Sequence, residues 1–169
     1  MAKAESGRQA LAAINPDATI VPLQQRLAGV ALDALVATAD VVLDCTDNFA
    51  TRHAINRACV HYRKPLVSGA AIRFDGQISV YDLRRDDSPC YHCLFPEGEE
   101  VEEVRCAVMG VFAPLTGIIG AMQAAEALKL AAGIGENLTG RLLLLDALDM
   151  EWRTVRFRKD PGCAVCGPT

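Results

Sequence analysis

The chain alternates between helical and extended patterns of apolar residues. Periodicity and composition predict helices over residues 4–14, 33–38, 50–62 and 111–132. Apolar and β-branched runs predict strands over residues 18–23, 40–45, 66–71, 77–83, 141–147 and 152–158. The first three strands alternate with helices, as in a parallel sheet with right-handed crossovers. The later strands have the pattern of antiparallel strands, and the last two resemble a hairpin.

This order predicts a single α/β domain over residues 1–169. We expect a Rossmann-like mixed sheet, with parallel strands followed by antiparallel strands, flanked by helices. Half of the chain is apolar (51%) and 22% is charged, which is typical of a globular protein. The net charge of −4 argues against nucleic acid or an anionic membrane as the main partner. Because the first twenty residues contain charges and no apolar core segment, we expect a cytoplasmic protein without a signal peptide.

One uncharged segment, residues 107–125, is long enough to be considered as a membrane span. It contains Pro114, several glycines and Gln123, and it has few bulky side chains that could face lipid. A helix buried in the protein core is therefore the better interpretation.

Two Cys-x-x-Cys pairs indicate a metal site. Cys90 and Cys93 form the first pair, and Cys163 and Cys166 form the second. Four thiolates complete the tetrahedral shell that structural zinc prefers, and prolines precede both pairs, at residues 89–93 and 161–167. The alternatives are a redox dithiol or unrelated surface cysteines, but redox motifs usually occur as one pair beside a βαβ unit. We predict structural zinc, with His92 as a bystander.

The other three cysteines have no metal-binding spacing. Cys45 falls in a predicted buried strand and Cys59 in a predicted helix, so packing is expected for both. Cys106 follows Arg105 and precedes a predicted helix, and both features lower the pKa of a thiol. A reactive role and a packing role for Cys106 both remain open.

An acidic residue follows the predicted strand 40–45. In open α/β sheets ligands bind at the carboxyl ends of the strands, and Asp47, followed by Asn48, suits a contact to magnesium or ribose. The alternative is that Asp47 caps the next helix, which is an ordinary role for Asp or Asn. Asp44, inside the strand, is expected to be a buried and hydrogen-bonded carboxylate.

Together these motifs resemble the ubiquitin-activating-type adenylating family. The resemblance rests on six segments in a fixed order, namely residues 43–48, 65–71, 75–77, 89–93, 113–115 and 161–167. It covers essentially the whole chain and corresponds to the C-terminal part of the family's domain. The nearest branches are the bacterial adenylyltransferases that serve molybdopterin synthase and the thiamine sulfur carrier.

This resemblance implies a reaction and its residues. ATP and magnesium would adenylate the C-terminal glycine of a small ubiquitin-like sulfur-carrier protein that ends in Gly-Gly, and the enzyme would be a homodimer. By motif position, Asp47 corresponds to the essential magnesium-linked acid and Asn48 to a nucleotide contact. Lys3 corresponds to a lysine that meets the phosphates. Cys106 lies where some branches carry a cysteine that links covalently to the carrier or its sulfur.

The chain departs from the family pattern at its start. Family members begin with a strand, a Gly-rich turn and a helix that bind the nucleotide, and none of the thirteen glycines here forms that motif. We therefore expect that an N-terminal nucleotide-binding lobe is missing ahead of Met1 and that the chain alone adenylates poorly. The alternative function is a non-catalytic carrier-binding or dimerisation module.

Overall fold

The computed structural model describes residues 1–98 and 110–168. Its helices are α1 (Lys3–Ile14), α2 (Val30–Thr38), α3 (Phe49–His61), the short α4 (Tyr91–Leu94) and α5 (Ala113–Ala132). Its strands are β1 (Val42–Asp44), β2 (Leu66–Ile72), β3 (Asp75–Tyr81), β4 (Arg141–Asp146) and β5 (Glu151–Arg156).

The strands form one five-stranded sheet in the order β1-β2-β3-β4-β5. β1 and β2 are parallel, and each later strand pairs antiparallel with the one before it. The predicted mixed α/β sheet is therefore confirmed, including the pairing of the last two strands. The α3 crossover makes the parallel pair possible, because parallel neighbours cannot be joined by a tight turn.

The strand predicted over residues 18–23 is wrong. The segment belongs to no strand, and the sheet begins at β1. The residues Thr19 to Val21 favour an extended backbone, but a strand also requires a neighbour with which to form hydrogen bonds. Pro22 removes one backbone donor, and Val21 is 72% exposed.

Two apolar layers cover the inner strand β2. Leu66 packs in a cluster with Val36 of α2 and Cys59 of α3, and Cys59 is fully buried, as predicted. The next residue, Val67, packs in a different cluster with Leu130 of α5. Because successive strand residues point to opposite faces, β2 has helices on both sides, which explains its nearly continuous apolar sequence.

Helix α5 is buried on one face only. Its buried residues recur every three or four positions and are Leu115, Ile119, Gln123, Glu126 and Leu130. Residues on its other face, such as Leu128, are exposed, so the predicted core helix packs in the core through one face and is not enclosed on all sides. Among the described helices, none combines the length and the apolar character needed to cross a bilayer.

Glu126 is a buried acid that connects α5 to the segment before β4. Its side-chain oxygen Oε2 accepts a hydrogen bond of 2.9 Å from the backbone N–H of Leu138, and Oε1 pairs with Lys129. Leu138 itself belongs to the α5 side of the core. This carboxylate therefore satisfies a buried donor that would otherwise lose its partner.

We predict that Glu126→Ala lowers the free energy of unfolding by about 1–3 kcal/mol, because the Leu138 N–H stays buried without an acceptor. Glu126→Gln keeps an oxygen that accepts this hydrogen bond and should cost less. Urea denaturation of both variants measures the difference. Equal losses for the two variants would contradict this role of Glu126.

Candidate functional site

A sharp turn follows β1 and is organised by Asp44. This residue is 1% exposed, and its Oδ1 accepts hydrogen bonds from the backbone N–H of Thr46 (2.9 Å) and from Thr46 Oγ1 (2.7 Å). The prediction of a buried, hydrogen-bonded carboxylate is thus confirmed. The second oxygen, Oδ2, has no hydrogen-bond partner among the described residues. Asp44 fixes the path of the chain immediately before Asp47.

Asn48, rather than Asp47, caps helix α3. The Asn48 side-chain oxygen accepts a hydrogen bond of 2.9 Å from the backbone N–H of Thr51. The Asn48 side-chain amide lies 3.4 Å from Asp47 Oδ1. Asp47 is exposed and is not needed as a cap, so its carboxylate is available for a ligand.

Two long polar side chains hold the carboxyl end of β1 beside the first half of β2. Arg52 of α3 is 7% exposed and donates to the carbonyls of Thr46 and Gly69. Gln123 of α5 donates to the carbonyls of Asp44 (2.9 Å) and Val67 (3.3 Å).

Gly69 leaves the space that Gln123 occupies. A Cβ at this position would lie 2.4 Å from the Gln123 side chain, much closer than real contacts allow. Sequence reasoning did not identify Arg52 or Gln123 as part of a site. A signal existed for Gln123, because it is the lone side-chain amide in the uncharged segment 107–125.

These groups surround a cavity of about 290 Å³ at the carboxyl ends of β1 and β2. This volume is close to the lower end of the range for small-molecule sites, about 300–1,000 Å³. The lining residues include Asp47, Arg52, Gln123, Val111 and Cys45.

Cys45 does not pack in the core, contrary to the prediction from sequence. It is exposed, because β1 ends at Asp44 and the next side chain faces the cavity. Its thiol donates to the Gln123 side-chain oxygen at 3.5 Å, and partial desolvation of the sulfur at the cavity wall raises its pKa. Cys45 is therefore a thiol at physiological pH.

The other two predicted site residues are not brought to this cavity. Lys3 is exposed on α1, a helix without buried residues, and it does not line the cavity. Cys106 lies outside the described residues. Of the predicted residues for catalysis and nucleotide binding, the structure places Asp47 on the cavity and Asn48 next to it.

The four cysteines of the two Cys-x-x-Cys pairs come together. Their sulfur atoms all lie within 4.8 Å of one another. Individual separations are 3.8 Å for Cys90 to Cys163, 3.9 Å for Cys90 to Cys93 and 3.4 Å for Cys93 to Cys166. Sulfurs bound tetrahedrally at about 2.3 Å from one ion are about 3.8 Å apart, so the cluster could hold a metal ion.

Neighbouring groups shape this cluster. Asn56 of α3 accepts a hydrogen bond of 2.9 Å from the backbone N–H of Tyr91, and its amide lies 3.6 Å from the Cys90 sulfur. A Cβ at Gly167 would lie 2.5 Å from the carbonyl oxygen of Cys163, so the second turn requires glycine. His92 Nδ1 is 3.5 Å from the Cys163 sulfur, which makes it a neighbour of one sulfur.

The thiols of the cluster differ in acidity. The hydrogen bond with Cys90 lowers the pKa of Cys93 to about 4, and the hydrogen bond with Cys93 raises the pKa of Cys90. Burial raises the pKa of Cys166 to about 12. Because metal ions bind thiolates, loading the cluster releases protons, and its metal affinity falls in acid.

The fold and these two sites define a Rossmann-like α/β protein with a cavity at the strand ends and a metal-type cysteine cluster. The model of the ThiF family matches residues 1–165, and the chain belongs to this family.

Three relatives share almost half of the sequence. The chain is 46% identical to molybdopterin-synthase adenylyltransferase of Escherichia coli strain K12, over 98% of this chain and 66% of the relative. It is 46% identical to sulfur carrier protein ThiS adenylyltransferase of the same strain, over 98% of this chain and 64% of the relative. SAMP-activating enzyme E1 of Haloferax volcanii is 44% identical, over 98% of this chain and 60% of the relative. The chain thus spans less than two thirds of each of these relatives.

A solved structure shares the fold. The structure of Escherichia coli MccB with ATP aligns with a TM-score of 0.78, over 98% of this chain and 51% of that chain. The sequence identity is 18%, so this likeness concerns the fold alone.

We predict that the purified chain binds one metal ion, and that Cys93→Ser loses it while Cys45→Ser keeps it. The reason is that Cys93 belongs to the four-sulfur cluster whereas Cys45 lines the other site. Elemental analysis after dialysis measures the bound metal, and a chelator should lower the melting temperature of the parent chain. Equal metal content in both variants would contradict a site formed by these four sulfurs.

Proposed function

We propose that this chain is part of an ATP-dependent adenylyltransferase that activates the C-terminal glycine of a small ubiquitin-like sulfur-carrier protein, for molybdopterin or thiamine biosynthesis. The observation that carries the proposal is the cavity at the ends of β1 and β2, which is lined by Asp47. Two relatives named for this kind of activity are 46% identical to the chain. The carrier is expected to end in Gly-Gly, as the family resemblance implies.

The proposed reaction joins the carrier to AMP. A carboxylate oxygen of the terminal glycine attacks the α-phosphorus of ATP, the bond to the bridging oxygen breaks, and pyrophosphate leaves. Asp47 would hold magnesium, which when bound neutralises charge on the phosphate oxygens. Its exposed carboxylate is a hard oxygen donor of the type that magnesium prefers. Asn48 and Lys3 are proposed to contact the nucleotide. Cys106 is proposed to form a covalent link to the carrier: its thiolate attacks the carbonyl of the acyl-adenylate, a thioester forms and AMP leaves.

Exposed apolar residues near the cavity support a carrier-docking face. Phe74 and Phe112 are 39% and 42% exposed, and their ring centroids are 5.4 Å apart. Val111, which lines the cavity, precedes Phe112 and forms an isolated β-bridge with Arg73, which follows β2. We propose that the carrier body rests on Phe74 and Phe112 while its tail enters the cavity. Aromatic anchors of this kind dominate many protein interfaces.

The cysteine cluster is proposed to bind structural zinc. Four thiolates leave no open coordination position, so zinc would stabilise the fold and take no part in the reaction. A site made of free thiols also fits a reducing compartment, and we propose that the protein is cytoplasmic. We further propose a homodimer, to which the exposed face of α5 would contribute.

The test joins this chain to the part of a relative that the chain does not match. In a chimera, residues 1–169 replace the corresponding segment of Escherichia coli molybdopterin-synthase adenylyltransferase, and carrier-dependent ATP–pyrophosphate exchange is measured. We expect exchange by the chimera and little by the isolated chain. Asp47→Asn in the chimera should reduce exchange about 100-fold or more, because a neutral amide holds magnesium weakly. Asp149→Asn changes an exposed acid in the turn before β5 and serves as the control.

Three outcomes distinguish the possibilities. Exchange that survives Asp47→Asn would remove the proposed role of Asp47. Carrier binding without exchange in the chimera would favour a non-catalytic carrier-binding module. No carrier binding at all would contradict both functions.

We predict that Phe74→Ala in the chimera weakens carrier binding about tenfold, because it removes an aromatic anchor from the docking face. Ile134→Ala is the matched control, since Ile134 is also exposed (60%) but follows the far end of α5. Titration of labelled carrier by fluorescence anisotropy measures both. Equal affinities for the two variants would place the carrier on another surface.

A further inference from the structure

A second groove, unconnected with the Asp47 cavity, lies at the opposite end of the sheet. Its volume is about 660 Å³, and it is bounded by the segment after α5, the start of β4 and the end of β5. The start of β4 and the end of β5 lie at the edge of the sheet where β2 starts. Asp47 instead follows the end of β1, which runs parallel to β2. The two sites have no lining residue in common.

Four arginines line this groove: Arg85, Arg141, Arg156 and Arg158. Glu136 is its only acidic lining residue within the described part of the chain. Arg85 pairs with Asp87 at 2.9 Å, whereas no carboxylate of the described residues lies within ion-pair distance of the other three arginines. The groove thus carries an excess of positive charge in a chain whose net charge is −4.

The register of the last two strands places like charges directly opposite each other. Arg141 of β4 is the cross-strand partner of Arg156 of β5, so both side chains emerge on the same face. Arg141 donates to the carbonyl of Asn137 at 2.7 Å, which does not neutralise its charge. Such a pair destabilises a sheet unless an anion lies between the two guanidinium groups.

We propose that this arginine groove is a docking site for a short acidic segment of a partner protein. Guanidinium groups bind carboxylates with paired hydrogen bonds, and the arginines project from strands and loops in an open groove. Phosphate sites commonly use backbone N–H groups at the start of a helix, but the helix that leads to this groove, α5, ends there. The acidic balance of the whole chain also disfavours a long polyanion such as nucleic acid.

The probe for the test is a fluorescein-labelled hexaglutamate peptide, with hexaglutamine as the uncharged control. Binding to the 169-residue chain is followed by fluorescence anisotropy without ATP or carrier, so the result is independent of the adenylation proposal. We expect hexaglutamate to bind at low salt and to bind more weakly at higher salt, because salt screens the charges. We expect that hexaglutamine does not bind.

The decisive variant is the double change Arg156→Gln and Arg158→Gln, which should weaken hexaglutamate binding about tenfold. Arg153→Gln is the matched control, because Arg153 lies on the same strand, pairs with Glu151 and does not line the groove. The double reversal Arg156→Glu and Arg158→Glu should lose hexaglutamate and bind hexalysine. All these residues are exposed, so we expect the substitutions to leave the melting temperature unchanged. Measuring the melting temperature of each variant confirms that it is folded.

Several results would overturn the proposal. These are no hexaglutamate binding, an equal loss in Arg153→Gln, or a reversal variant that still binds hexaglutamate. Tighter binding of inorganic pyrophosphate or of a single-stranded oligonucleotide than of hexaglutamate, lost in the same double variant, would assign the groove to a phosphate ligand instead.

Discussion

The parallel pairing of β1 with β2 is the constraint on which the site depends. Asp44 at the end of β1 is the register partner of Ser68 in β2, so the chain leaves β1 beside Gly69. In an antiparallel pair these two ends would lie at opposite edges of the sheet. Parallel pairing requires a crossover, and α3 provides it. The same helix is capped by Asn48 at the site and carries Arg52 one turn later.

Burial of polar groups connects this pairing to the cavity. Backbone carbonyls at the ends of buried strands need donors, and water is largely excluded from them. Arg52 and Gln123 supply those donors from helices on the two faces of the sheet, and Gly69 leaves room for Gln123. The cavity therefore has a rigid polar base, which an enzyme requires to keep its groups in position. The features that stabilise the strand ends are also the features that shape the site.

Much of this arrangement could be predicted from sequence, at the positions where neighbouring residues in the chain determine the local structure. The spacing of two Cys-x-x-Cys pairs predicted the sulfur cluster, and the apolar run before Asp47 predicted a strand end. The predictions that failed share one cause: contacts with residues distant in sequence decide whether a segment joins the sheet and where a side chain lies. Residues 18–23 favour a strand but have no strand beside them, and Cys45 is one residue beyond the end of β1. Arg52 was not recognised because helical spacing does not show which carbonyls a buried side chain reaches.

The cysteine cluster is connected to the Asp47 cavity through helix α3. Cys90 and Cys163 are 73 residues apart in the chain, and their sulfurs are 3.8 Å apart. A metal that closes so long a loop removes much conformational freedom from the unfolded chain. The cluster also contacts α3 through Asn56, one helical turn beyond Arg52. A bound metal would thus hold the helix that carries both the cap at Asn48 and the guanidinium of Arg52, so the integrity of the cavity depends on a site that takes no part in its chemistry.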